Sequence, residues 1–162
     1  TKKCLLNNGN IITRNQILKN NKDGNAATVL PMTKEHNIVL VVQPRILTEK
    51  TVTVELPTGY IDDNEEAVDA DRRELEEETG YVSDEYINLI NYYQDQGCSK
   101  AKIYSFLALN CKKIKKQNLD NDEYIKYFEC SYDEAFELID LGYICDANSI
   151  LALEMSKKYI RR

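Results

Sequence analysis

The chain has 162 residues, with 21 Lys+Arg against 27 Asp+Glu and a formal net charge of −6. A hydrophobic content of 43% beside 30% charged residues supports one buried core under a solvated surface and excludes a disordered or fibrous chain. No apolar run approaches the roughly 18 residues a membrane span needs, and no basic-then-apolar leader opens the sequence, so a soluble protein without a membrane partner is expected. The acidic balance argues against nucleic acid as a partner, because phosphate would meet repulsion unless a divalent metal reversed the local sign.

In chain order, residues 27–32, 38–43 and 51–56 are short, rich in Val, Ile, Leu or Thr, and separated by polar punctuation, which predicts three strands. Pro57 and Gly59 break that pattern. Residues 65–79 then form an unbroken stretch of helix formers closed by Gly80, a usual helix stop. Strand character returns at 103–109 and 124–130, and two closing helices are expected at 132–141, stopped by Gly142, and at 147–159. The order describes a single mixed α/β domain over 1–162, without repeats or a linker. The run Lys112, Lys113, Lys115 and Lys116 reads as surface.

Five cysteines without a CxxC pair give neither a disulfide framework nor a zinc site, and a reducing cytoplasm fits them. Most sit in apolar segments as small hydrophobes; Cys98, beside Gly97, is read as the exposed thiol. The single histidine, His36, lies in a polar stretch and reads as a turn.

Chemistry concentrates in the 65–79 helix. Glu74, Glu76, Glu77 and Glu78 place four carboxylates in five residues, and Glu74, Glu77 and Glu78 share one helical face. No lysine occurs between Lys50 and Lys100 to offset them. Like charges at this spacing raise one another's pKa, and a shared divalent cation relieves them; an all-carboxylate set favours Mg²⁺ or Mn²⁺ over zinc. A solvated acidic face is the alternative for three glutamates alone. Arg73, adjacent to Glu74 and one turn before Glu77, can orient a ligand carboxylate.

Gly59, Glu65 and the run from Arg73 through Glu74, Leu75, Glu76, Glu77, Glu78, Thr79 and Gly80 to Tyr81 resemble the Nudix box over 59–81. Every fixed position is met except the last, where Tyr81 stands for an aliphatic. The segments Gln43-Pro44-Arg45 and Glu55-Leu56-Pro57-Thr58-Gly59, with the stretch from Gly142 to Leu153, are similar to those of ADP-ribose pyrophosphatases and related nucleoside diphosphate sugar hydrolases. The resemblance implies an α/β/α sandwich around a mixed sheet, with the box as a loop-helix-loop holding Mg²⁺, and cleavage of a nucleoside diphosphate linked to another moiety.

Carried over residue by residue, the resemblance gives Glu74, Glu77 and Glu78 as metal carboxylates, with the Thr58 carbonyl as a backbone ligand. It makes Arg73 and Glu65 orienting residues and Arg45 the arginine that meets substrate phosphate or base. In this subfamily a catalytic glutamate comes from a loop before a late strand. The acidic turn 120–123 occupies that place, with Glu123 the first choice, Asp122 the second and the box residue Glu77 a third. An EF-hand reading of that turn fails, because the glycine and glutamate it requires are Ile125 and Ser131; a solvated hairpin is the simpler alternative. A homodimer is also implied.

Two departures bear on the substrate. The proline usual in ADP-ribose hydrolases sixteen positions after Gly80 is Gln96 here, and Pro44 replaces a common aromatic. ADP-ribose leads, cleaved to AMP and ribose 5-phosphate, with other sugar nucleotides next. The competing expectations are a nucleoside triphosphate or dinucleoside polyphosphate pyrophosphohydrolase and a nucleotide-sensing module without catalysis.

Overall fold

The computed structural model describes residues 1–19, 22–121 and 123–160. Ten strands and three helices are found among them: β1 Lys2–Leu5, β2 Ile11–Arg14, β3 Ala26–Thr33, β4 Asn37–Pro44, β5 Val52–Glu55, β6 Thr58–Tyr60, α1 Ala67–Thr79, β7 Tyr81–Val82, β8 Glu85–Tyr93, β9 Lys102–Lys113, β10 Lys126–Ser131, α2 Tyr132–Asp140 and α3 Ala147–Ile160. β1 and β2 make a separate antiparallel hairpin. The other eight strands form one sheet running β10-β4-β3-β9-β7, with β5 on β4, β6 on β3 and β8 on β9. Only the central β3–β9 pair is parallel, so the sheet is mixed, and the α/β/α sandwich expected from the sequence is what forms.

Period-2 alternation explains the layering. Val29 and Val39 face α1 in a core with Leu75, Tyr81, Ala108 and Cys111. Their neighbours Leu30 and Leu40 face the other way, into a larger core with Leu107, Tyr132, Ala135, Ala152 and Leu153 from β9, α2 and α3. β3 and most of β4 are apolar on both faces because helices cover both. α2 opens with a full capping box, in which Ser131 and Glu134 satisfy each other's backbone N–H groups.

The structure corrects several boundaries. α1 starts at Ala67, not 65, because Glu66 is extended at φ −76° and ψ 146° as its N-cap. The last strand starts at Lys126, after the turn. β8 follows no simple alternation because a bulge shifts its pairing with β9 between Asn88 and Ile90. Lys112 and Lys113 belong to β9, and Lys113 is not simply solvated: its ammonium lies over the Tyr127 ring and donates to the Thr79 carbonyl. Cys4 and Cys145 are the exposed thiols, whereas Cys98 is half-buried and donates to Asp95. His36 sits in a turn at φ 65°. No helix among the described residues is long and apolar enough to cross a membrane.

Candidate active site

β6 pairs with β3 so that Gly59 lies opposite Ala27, and α1 then lays Glu74 against it. A Cβ at position 59 would stand 1.8 Å from Glu74 Oε1 and 1.9 Å from its carboxyl carbon. Glycine is required here by the approach of a carboxylate, not by backbone twist. The loop back to the helix turns at Asn64, φ 67°, and is pinned by the Asp62 N–H donating to Glu65 Oε2 at 2.9 Å.

Arg73 organises the acidic face. Its guanidinium donates to both oxygens of Glu65 at 3.0 and 3.1 Å, to the Tyr60 carbonyl at 3.0 Å, to Glu74 Oε1 at 2.7 Å and to Glu77 Oε2 at 3.2 Å. Hydrogen bonding from Arg73 holds the Glu65 carboxyl below its ordinary range. Glu74 shifts upward instead, since burial outweighs the same arginine and Glu77 and Glu123 add repulsion. Glu78 is buried, its Oε2 has no hydrogen-bond partner, and burial reinforced by Glu74 and Glu123 pushes its carboxyl up to about 9.

These residues open into a cleft of about 720 Å³ lined by Thr58, Gly59, Arg73, Glu74, Glu78, Arg45, Asp120 and Glu123, with Glu55, Asp146 and others. Glu77 is outside that lining and reaches it only through Arg73. Glu123 accepts from the Asp120 N–H through Oε2 at 3.0 Å. Asp122 lies outside the described residues. Arg45 lines the cleft, but its fork is held by Glu55 at 2.7 and 2.6 Å. Glu55, almost fully buried, is the residue the sequence reading left without a role; its alternation with Thr53 on β5 places both on the cleft face and is the signal that could have found it. Tyr81, the one departure from the box, buries its ring edge-on to Tyr127 and donates its hydroxyl to Glu129. The position thus keeps its core function.

Among the described residues no three acidic, histidine or cysteine side chains are gathered at metal-binding spacing. Arg73 is the reason on α1, since its Nη1 stands between Glu74 and Glu77. The donor set still fits a hard divalent cation: half-buried Glu74 and buried Glu78 are both raised by desolvation and by neighbouring carboxylates, Glu78 has an orphaned oxygen, and a cation relieves these conditions.

A mixed sheet between helical layers, with a glutamate-rich helix packed on a glycine turn, gives an α/β/α sandwich with an acidic cleft. Residues 22–152 match the NUDIX domain. The ADP-ribose pyrophosphatase of Bacillus subtilis (strain 168) is 32% identical over 134 residues, covering 82% of this chain and 72% of that protein. The GDP-mannose pyrophosphatase of Escherichia coli (strain K12) is 32% identical over 138 residues, covering 80% and 72%, and the methanol dehydrogenase activator of Bacillus methanolicus is 34% identical over 130 residues, covering 80% and 70%. A solved structure described as an ADP compounds hydrolase superposes with TM-score 0.81 at 18% identity, covering 98% of this chain and 83% of that one. The chain belongs to the NUDIX family and is a pyrophosphohydrolase of that family, whose hydrolases generally use divalent metal ions.

Proposed function

We propose that this protein hydrolyses the pyrophosphate bond of a nucleoside diphosphate linked to a sugar, with ADP-ribose, cleaved to AMP and ribose 5-phosphate, as the leading substrate. The observation that carries the reading is half-buried Glu74, pressed against Gly59, beside buried Glu78 in a cleft that also holds Arg45 and Glu123. Relatives named for ADP-ribose and GDP-mannose support the substrate class. In this reading Glu74, Glu77, Glu78 and the Thr58 carbonyl hold Mg²⁺, with Mn²⁺ able to replace it. A divalent ion held there would supply neutralisation of phosphate oxygens and acidification of water. Arg73 holds Glu74 and Glu77 by hydrogen bonds, and its guanidinium has to turn aside from between them for a cation to be loaded. Arg45 binds a phosphate or the base away from the reacting centre. Glu123 takes the proton of the attacking water at Oε1, since Oε2 is engaged with the Asp120 N–H. No covalent enzyme intermediate is needed.

The deciding experiment is formation of nucleoside monophosphate, resolved by anion-exchange chromatography, from ADP-ribose, sugar nucleotides and nucleoside triphosphates. Turnover of the diphosphate derivatives, lost with EDTA and restored by Mg²⁺, is the expected result. Preference for triphosphates would overturn the substrate class, and full activity after exhaustive chelation would overturn the metal role.

A further inference from the structure

The last carbonyls of an α-helix have no partners within the helix. In α1 they belong to the turn that carries Glu77 and Glu78. Glu76 O accepts the Gly80 N–H at 2.8 Å, closing the left-handed cap at φ 74°. The following carbonyls are claimed by a segment far away in sequence. Glu77 O accepts the Asn118 N–H at 2.9 Å, Glu78 O accepts Gln117 Nε2 at 2.6 Å, Thr79 O accepts Lys113 Nζ at 2.9 Å, and Gly80 O accepts the N–H groups of Ile114 and Lys115 at 3.0 and 3.2 Å. Lys115 also pairs with Glu76. The approach is close enough that a Cβ on Gly80 would stand 2.2 Å from the Lys115 carbonyl oxygen.

Within this docking Gln117 is unlike the rest, because its second partner lies on the far side of the acidic turn. The same Nε2 donates to the Ile125 carbonyl at 3.0 Å, just before β10, and Ile125 is itself buried. Both partners are acceptors, so the amide orientation is fixed by the chemistry. One side chain therefore closes the chain on both sides of Asp120 and Glu123 and fastens it to the carbonyl of Glu78. A turn of polar residues, otherwise tied by its own Asp120–Glu123 hydrogen bonds, acquires a fixed address relative to α1.

We propose that Gln117 is a positioning residue for hydrolysis: by bridging Glu78 O and Ile125 O, its amide holds Glu123 at the carboxylates of α1. The inference rests on the reading that Glu123 accepts the proton from water. Small errors in the placement of such a group cost large factors in rate. Gln117→Ala should lower kcat for ADP-ribose, or for the sugar nucleotide that the substrate panel identifies, by about ten- to a hundredfold with KM within about threefold. Amide exchange at Asn118 to Asn121 should quicken in the metal-free protein, while exchange in α1 before Glu76 stays as in the parent. Gln117→Glu keeps the side-chain size without the paired donors and should behave alike; it also serves if the alanine variant fails to fold. In a Glu123→Gln background, Gln117→Ala should lower kcat less than about twofold, since the group it positions is already gone. Equal losses in both backgrounds, a loss confined to KM, or parental exchange would overturn the proposal. A Glu123→Gln enzyme with the parent's kcat overturns the proton-acceptor reading and the positioning role together. A Glu123-dependent enzyme indifferent to Gln117 overturns the positioning role alone.

Discussion

Asp71 and Glu78 are both buried carboxyls on α1, yet they ask for different experiments. Asp71 is fully buried, neither oxygen has a partner, and burial followed by the Glu74 charge raises its pKa well above the ordinary value. A carboxyl raised on folding binds its proton more tightly in the folded state. Stability is therefore highest below the unfolded pKa and falls as pH rises from about 4 toward the folded value. Replacing Asp71 with Ala removes this penalty, worth about 1–3 kcal/mol, so the Tm at pH 7 should rise by about 2–12 °C. The gain should shrink toward pH 4, where the pH-dependent part is gone; a lower Tm at pH 7 would show that Asp71 has a partner. Glu78, raised to about 9, is protonated at pH 7 without metal, and Gln mimics that form. Glu78→Gln should thus keep the metal-free Tm within about 2 °C while losing the Mg²⁺-induced rise in Tm and lowering kcat about a hundredfold or more. An active enzyme, or one still stabilised by Mg²⁺, would remove Glu78 from the metal set.

At the level of elements, the two box glycines are needed for different reasons, and their alanine variants should separate them. Gly59 has ordinary strand pairing, and its added methyl meets the far end of the Glu74 side chain. Gly59→Ala should therefore displace Glu74 and cost most of the activity while leaving the Tm within a few degrees. Gly80 is left-handed, and its methyl would meet the backbone at Lys115. Strain and displacement together should cost about 1–3 kcal/mol, or about 2–12 °C in Tm. Equal melting of the two variants would refute this division. The same contrast shows what was legible in the sequence. The box helix is announced by local signals, its composition and its glycine stop, and the strands β3, β4 and β5 by runs of β-formers between polar breaks. β8 was missed because its bulge breaks the alternation, β6 because three residues carry no period, and the exposed β1–β2 hairpin because neither strand has a buried face. The box carboxylates and Arg73 were legible because they are local. The Arg45–Glu55 fork, the Gln117 bridge and the isolation of Asp71 depend on segments that meet only after folding.

Across the whole molecule, the cleft lies where the layers converge: α1 supplies Glu74 and Glu78, the residue after β4 and the end of β5 the Arg45–Glu55 pair, the segment before β10 Glu123, and the entry to α3 Asp146 and Asn148. Residues on one wall therefore belong to the sheet and face the cleft at once, and Arg45, proposed to meet the substrate, is the clearest case. Its guanidinium is half-exposed to the cleft while Glu55 keeps only 7% of its side-chain surface. Removing the arginine strands a buried carboxylate as well as a substrate contact. Arg45→Ala should raise KM about tenfold with kcat lowered less than about threefold, since the arginine binds away from the reacting centre. It should also lower the Tm by several degrees through the uncompensated Glu55. The two effects can be parted by adding Glu55→Gln, which removes the stranded charge. That double variant should recover most of the lost Tm and none of the KM. Arg45→Lys should recover neither fully, because a point charge cannot reproduce the two-pronged bond. If KM stays at the parental value in Arg45→Ala while the Tm falls, Arg45 serves only to neutralise Glu55, and the nucleotide is held by the opposite wall of the cleft.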